Sequence, residues 1–148
     1  MCKKKSMHTV ALLLARKNRK PISVTSNTPV IDALKIMAEK NIGSIVVIDD
    51  GRYKGIVSER DYSRKVVLKG KSSGDTKVAE IMSTDLPFAK PADTIEHCME
   101  IMSSQNIRYM PVFENETLTG IVSMSDVVHE TILAQKETIE HLHSFIHS

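Results

Sequence analysis

The chain has no tryptophan, and only three phenylalanines and three tyrosines among 148 residues. So few rings exclude an aromatic platform on which single-stranded bases would stack. An excess of one charge is missing as well: 20 basic residues against 18 acidic ones leave a net +2, too little for the footprint of a nucleic-acid binder. Two cysteines, Cys2 and Cys98, make neither a disulfide framework nor a metal cluster, and reduced thiols in a cytoplasmic protein are expected. No apolar run approaches the ~18 residues of a membrane span. Lys3-Lys4-Lys5 ahead of Thr9-Val10-Ala11-Leu12-Leu13-Leu14-Ala15 faintly imitates a secretory signal. That run is short, though, and Arg16-Lys17-Asn18-Arg19-Lys20 follows it with no small-residue cleavage site. A short amphipathic helix over residues 7–16, packed on the body behind a solvated lysine tail, is the expectation.

What is present is ordinary in amount and unusual in arrangement. Hydrophobic residues at 41% and charged residues at 26% describe a soluble globular chain. Its length fits one compact domain or two small halves sharing a core. Gly55-Ile56-Val57-Ser58-Glu59-Arg60-Asp61 returns 65 positions later as Gly120-Ile121-Val122-Ser123-Met124-Ser125-Asp126. With that offset, residues 28–61 fall on 93–126 without a gap. The identical pairs are Ile36/Ile101, Met37/Met102, Asn41/Asn106, Ile42/Ile107, Val47/Val112, Gly55/Gly120, Ile56/Ile121, Val57/Val122, Ser58/Ser123 and Asp61/Asp126. The chain is a tandem duplication.

Each copy carries the same order of elements. Pro21–Val24 and Leu86–Ala89 read as short first strands, proline marking an edge or a start. Thr28-Pro29 opens a helix, with Thr28 as its cap and Pro29 at the first helical position; Asp93 opens the counterpart, with Glu96 completing a capping-box-like pair. Val30, Ala33, Leu34, Met37 and Ala38 form one apolar face, matched by Ile95, Cys98, Met99, Met102 and Ser103. After Asn41 and Asn106 come the strands Ile45–Ile48 and Met110–Phe113. Asp49-Asp50-Gly51-Arg52 supplies turn chemistry, and Glu114-Asn115-Glu116-Thr117 does so more weakly. A helix follows from about Asp61 to Leu68. Its equivalent starts at Asp126 and runs on through Ile132, Ile139 and Leu142. Lys69–Thr76, rich in glycine, serine and charge, is a linker. Each half is therefore β-α-β-β-α. The expected fold is α+β, with two repeats related by a pseudo-twofold, their sheets packed together, and flanking N- and C-terminal helices.

The repeated corner has a chemistry of its own. Ser58 and Asp61, like Ser123 and Asp126, stand where a helix cap and a first-turn residue stand. Backbone N–H groups at a helix start attract phosphate. An ionised aspartate only accepts hydrogen bonds, so it can take both hydroxyls of a ribose. Capping alone is the alternative use of the same four residues, worth about 1 kcal/mol each. His141, His143 and His147 fix no third metal ligand by their spacing and read as a solvated helix. Cys98, on an apolar helical face, reads as a small core residue.

The helix faces ending in Asn-Ile, the Ile-Val-Val-Ile and Met-Pro-Val-Phe strands and the two Gly-Ile-Val-Ser-x-x-Asp corners together resemble the CBS domain. This repeat occurs in tandem pairs called Bateman modules, and the resemblance covers roughly residues 20–132. It extends to small stand-alone bacterial pairs, in which Ser-Glu-Arg-Asp-Tyr-x-Arg-Lys and a Lys-Gly linker also occur. The resemblance implies a binding module and not an enzyme, with no catalytic cofactor and no metal. Such pairs bind AMP, ADP, ATP, and in some cases NAD or S-adenosylmethionine, in clefts between repeats. It assigns the ribose hydroxyls to Asp61 and Asp126, with Ser58 and Ser123 beside them. Adenine is assigned to the first strand and the helix-to-strand junction, here Ile22 with Ile42-Gly43-Ser44, and Phe88 with Ile107-Arg108-Tyr109. Arg60 and Arg64 are expected to hold a phosphate at the first corner. The second corner has Ser125 and His129 at those positions, with Arg108 in compensation where the first copy has Gly43. The two clefts are thus unequal, and one good nucleotide site is expected, near Asp61 or Asp126.

The implied organisation is 1–20 as tail and short helix, 21–68 as the first repeat, and 69–85 as linker and lead-in. Residues 86–132 form the second repeat and 133–148 a C-terminal helix extension. The implied partners are an adenine nucleotide, a second copy of the chain and an effector protein, without nucleic acid or membrane. Val66, Val67, Val127, Val128 and Ile132 offer apolar surface for a homodimer. The runner-up function is a dimerising interaction module with occluded clefts and no small-molecule ligand.

Overall fold

Residues 8–18 and 20–147 are described in the computed structural model, with side chains through residue 143. Cys2, Lys3–Lys5, Arg19 and the His147 side chain lie outside that description. The element order is α1 (Val10–Lys17), β1 (Ser23–Val24), α2 (Val30–Lys40), β2 (Ser44–Asp49), β3 (Arg52–Ser58) and α3 (Glu59–Tyr62). α3 passes into a π-helical turn, Ser63–Val67, and a 3-10 turn follows at Val78–Glu80. Then come α4 (Ile95–Gln105), β4 (Tyr109–Glu114), β5 (Thr117–Ser123) and α5 (Met124–His147). This is the α+β class expected, in two units: residues 21–86, and residues 1–20 together with 87–148.

The helix caps differ from the sequence expectation. Thr28 makes no cap; its hydroxyl pairs with that of Thr25 at 3.2 Å, and Pro29 itself is the N-cap of α2, in extended conformation. In the second unit Thr94, not Asp93, caps α4, accepting the His97 N–H at 3.1 Å. The Asp93 carboxylate instead accepts the Lys90 N–H at 2.8 Å and tightens the preceding turn. Both helices end on asparagines in the left-handed region, Asn41 at φ 55° and Asn106 at φ 54°, a conformation asparagine tolerates better than other side chains. That explains one identity of the repeat. On the helix faces, Val30, Ala33 and Met37 are buried with Ile95, Cys98 and Met102, whereas Ala38 and Ser103 are exposed. Burial pushes the Cys98 thiol up to about 11, with the nearby Asp93 charge adding to the effect.

In the first unit β1 pairs parallel to β2, and β2 pairs antiparallel to β3. β4 and β5 repeat that hairpin, including an irregularity at Val112/Phe113 that matches the one at Val47/Ile48. The expected first strand at Leu86–Ala89 shrinks to a single parallel bridge between Ala89 and Val112. The reason lies in the neighbouring strand: the Val46 N–H donates to the Ile22 carbonyl at 3.1 Å, but Pro111 stands at the matching position and has no N–H. Both hairpins turn through two residues at positive φ: Asp50 and Gly51 at 49° and 77°, Asn115 and Glu116 at 51° and 70°.

Each core is closed by a strap, from the segment after it in the first unit and from the segment before it in the second. In the first unit the strap is residues 76–83. It pairs with the start of α2 through Val30 N–H to Thr76 O (2.8 Å) and Val78 N–H to Thr28 O (2.9 Å), and crosses β3 where Ile56 bridges Ser83. Val78 and Ile81 are buried in that core beside Val30, Ala33, Met37, Ile45, Val47, Val57 and Val66. In the second unit the strap is Thr9 with α1. Val10 N–H reaches Asp93 O (2.9 Å), Ile95 N–H reaches His8 O (3.1 Å), and Val10 and Leu13 are buried beside Ile95, Cys98, Met102 and Val122. The repeated glycines make room for these crossings. A Cβ on Gly55 would lie 2.7 Å from the Ser83 carbonyl oxygen, and one on Gly120 would lie 2.8 Å from a Leu14 methyl.

Two stability measurements follow. Gly55→Ala, blocked by backbone, lowers the urea-unfolding free energy by about 1–3 kcal/mol. Gly120→Ala meets only a side chain that can turn away, and loses clearly less; equal losses would refute the strap account. Glu116→Gly relieves an L-residue at φ 70° and raises stability by about 0.5–1 kcal/mol, detected as a higher unfolding midpoint at unchanged slope.

Candidate functional site

β3 ends at Ser58 and β5 at Ser123, and in each case the chain turns at once into a helix. The local pattern dictates the turn: buried apolar residues stop at the serine, which frees its side chain to cap. Asp61 N–H donates to Ser58 Oγ at 3.2 Å, and Ser58 N–H donates back to Asp61 Oδ2 at 2.9 Å. The second corner repeats this, with Asp126 N–H to Ser123 Oγ at 3.0 Å and Ser123 N–H to Asp126 Oδ2 at 3.0 Å. These are reciprocal capping boxes with aspartate in the glutamate position.

The junction residues are stitched to the same corners. Glu59 N–H donates to Gly43 O at 3.1 Å, and Met124 N–H donates to Arg108 O at 2.9 Å. Ser44 is the strand partner of Ser58, and Tyr109 of Ser123. Gly43 and Ser44 are thus brought to Ser58–Asp61, and Arg108 and Tyr109 to Ser123–Asp126. Ile22, Ile42 and Ile107 are half-buried beside the cores of their own units. Arg60 is half-buried, while Arg64, Arg108, Ser125 and His129 are exposed. Phe88 is 51% exposed and meets Phe113 edge-on at 5.7 Å between ring centroids. The register aligns Ala89 with Val24, so Phe88 matches the exposed Ser23, and Pro87 rather than Phe88 is the counterpart of Ile22.

Both motif carboxylates hold an ammonium, which the sequence reading did not foresee. Asp61 is 8% exposed. Its Oδ2 also accepts the Ser58 hydroxyl at 3.1 Å, and its Oδ1 accepts Lys65 Nζ at 3.1 Å and the Ser83 hydroxyl at 3.3 Å. Lys65 reaches on to the Ile81 carbonyl of the strap at 2.9 Å. With two partners on each oxygen, the Asp61 carboxylate is filled. At Asp126, Lys17 Nζ from the end of α1 lies 2.9 Å from Oδ2 and 3.0 Å from the Ile121 carbonyl. Asp126 Oδ1 carries no hydrogen bond among the described residues. Lys65 was legible as an i,i+4 partner of Asp61; Lys17 and Ser83 come from distant sequence and left no local signal.

An ionic cluster lies further along α5. Glu130 is 2% exposed and faces Arg16 Nε at 3.4 Å and His8 Nδ1 at 3.8 Å, while His8 Nε2 is 3.4 Å from Glu137. It fastens the strap to α5. Among the described residues no three His, Cys, Asp or Glu side chains converge as metal ligands, and no helix is long and apolar enough to cross a membrane.

Comparison with known proteins adds identity to this geometry. The CBS domain model matches residues 16–67 and again 78–132. The mitochondrial CBS domain-containing protein CBSX3 of Arabidopsis thaliana is 35% identical over 127 residues, a match that takes in 82% of this chain and only 62% of the plant protein. The chain therefore spans less than two thirds of that relative's length. A solved CBS-domain protein from Burkholderia ambifaria, described as a signal-transduction protein, is 41% identical at a TM-score of 0.82, covering 86% of this chain and 96% of its own. The CBS domain pair of protein MJ0100, solved in complex with 5-methylthioadenosine and S-adenosyl-L-methionine, is 25% identical at a TM-score of 0.72, covering 86% and 97%. With two matched copies spanning most of its length, the chain belongs to the CBS domain family as a tandem pair of CBS domains.

Proposed function

We propose that this tandem CBS pair is a regulatory module that senses an adenine nucleotide at the Asp126 corner and signals by a change of conformation rather than by catalysis. The observation that carries the reading is Asp126 Oδ1, which has no hydrogen bond among the described residues, at a corner whose cap serine and lysine are anchored. A ribose diol has two hydroxyls to donate, and an ionised carboxylate with spare lone pairs accepts them. The ligands on the MJ0100 pair share an adenosine moiety, which supports adenosine as the recognised part. AMP, ADP, ATP and NAD are the candidates. Phe88, Ile107, Arg108, Tyr109, Ser123 and Ser125 would surround the ligand. The equivalent set at the first corner, Ile22, Ile42, Gly43, Ser44, Ser58, Arg60, Asp61 and Arg64, forms the weaker site, because Asp61 must first give up Lys65 or Ser83. The buried thiol of Cys98 suits a reducing, cytoplasmic setting.

A homodimer belongs to the same reading, but on a shifted face, because Val66 and Val127 are buried in the cores and unavailable to a partner. Val128, Ile132, Ile139 and Leu142 on α5 are 45%, 47%, 65% and 54% exposed. Their spacing of four, seven and three residues lays them along one side of the helix in the manner of a coiled-coil seam. The opposing reading, a dimerising module without ligand, would use that stripe alone.

Calorimetry and thermal shift with AMP, ADP, ATP and NAD decide between them. Binding at 100 times the dissociation constant adds about 2.7 kcal/mol of stability. Asp126→Asn, which keeps an acceptor for the cap but leaves Lys17 without its anion, lowers the ligand-free melting temperature and abolishes that gain. Asp61→Asn leaves most of the gain in place. If none of the four ligands shifts the melting temperature of the unmodified protein, the sensing reading is wrong. In sedimentation, Ile139→Glu converts a dimer to a monomer; a chain that is monomeric beforehand rules out the seam.

A further inference from the structure

We infer that Lys17 is the specificity-determining residue of the Asp126 corner, and that it makes the corner select adenosine ligands carrying phosphate over neutral or cationic ones. The inference rests on the sensing reading above and concerns which ligand the same corner accepts.

The acceptor count at Asp126 leads to it. Oδ1 has no hydrogen bond among the described residues, whereas Oδ2 already takes the Ser123 N–H at 3.0 Å and the Lys17 ammonium at 2.9 Å. A vicinal diol that donates one hydroxyl to each oxygen fills Oδ1 freely, but at Oδ2 it meets Lys17. Binding therefore loosens the ion pair and leaves the ammonium on the Ile121 carbonyl alone, 3.0 Å away and neutral. The Lys17 side chain is only 23% exposed, so water replaces a lost carboxylate poorly. A largely covered cation without an anion is unfavourable. A phosphate on the arriving ligand cancels that cost by offering a new anion to Lys17. A neutral thioether nucleoside offers none, and a sulfonium brings a like charge.

Among the described residues no other basic group competes for the part. Arg16 is engaged by Glu130 at 3.4 Å, and Glu130 also faces His8. Arg108 and His129 are exposed, where solvent screens their charge. The first corner lacks the device in this form: Lys65 is 44% exposed, so water can take over from Asp61. Lys17 also belongs to the strap, at the last turn of α1, where a cation suits the helix dipole. A change of partner at Lys17 is therefore felt by α1.

The test is calorimetry of the full chain with AMP, adenosine, 5-methylthioadenosine and S-adenosylmethionine, for the unmodified protein, Lys17→Met and Lys17→Arg. The unmodified protein binds AMP at least ~10-fold more tightly than adenosine or methylthioadenosine, and the sulfonium most weakly. Lys17→Met shrinks the AMP-to-adenosine ratio to within ~3-fold, with adenosine binding gained and AMP binding lost, while Lys17→Arg keeps the ratio. A merely structural lysine would lower all affinities together and leave the ratio unchanged; that outcome overturns the inference while leaving the sensing reading intact. AMP bound with an unaltered ratio in Lys17→Met likewise overturns it. If no adenosine ligand binds the unmodified protein, the sensing reading falls, and this inference with it. Should Lys17→Met fail to fold, a fall in the ratio with rising salt in the unmodified protein supports the charge mechanism, and a flat ratio refutes it.

Discussion

One carboxylate at the start of a helix, shared between its own serine and a lysine, organises the corner in both halves of this protein. The serine–aspartate box turns each inner strand into a helix, because it satisfies N–H groups that the helix would otherwise leave bare. The box uses one lone pair on one carboxylate oxygen in each copy. What remains of the carboxylate is divided differently in the two halves. At Asp61 a lysine, a second serine hydroxyl and the cap serine complete the shell. At Asp126 a lysine takes one more place, and among the described residues an oxygen is left over. Two corners identical in motif are thus unequal in vacancy, and the inequality arises from residues outside the motif.

The lysines also show how one electrostatic requirement is met from two directions. In the first half the cation is four residues after the aspartate and reaches outward to a strap carbonyl, Ile81. In the second half the cation arrives on the strap itself and reaches inward to a strand carbonyl, Ile121. Each arrangement ties the motif carboxylate to the segment that closes the core. The position of that segment and the state of the carboxylate are thereby linked, through charge in both halves and through the buried Glu130 cluster in one. The ligand-reporting module proposed above needs such a link.

Much of this was legible in the sequence, and the reasons for the rest are physical. Period and offset revealed the duplication, the helices, the hairpins and the corners, because those depend on near neighbours. Asn41 and Asn106 marked the ends of α2 and α4 because few other side chains tolerate φ near 55°. The caps were misread by one residue: Thr28 and Thr94 stand at different offsets from their helices, and the asparagine-like turn made by Asp93 resembles a cap. The loss of a strand beside Pro111 was foreseeable from the missing N–H, had the register been known. Lys17 and Ser83 were invisible, since nothing local distinguishes a lysine near the N-terminus from any other solvated one. The two glycines of the corner were visible as a motif, but their reason, a chain crossing within van der Waals range, was not.

The division of the chain into residues 21–86 and residues 1–20 with 87–148 has a temporal meaning. During synthesis the middle unit emerges whole, with its strap adjoining its body, and can close as soon as it leaves the ribosome. Val10 and Leu13 precede that unit but belong against Ile95, Met102 and Val122, which follow it. The α1 helix therefore waits, apolar side uncovered, until the residues that seat it have been made, and its contact with them closes a long ring.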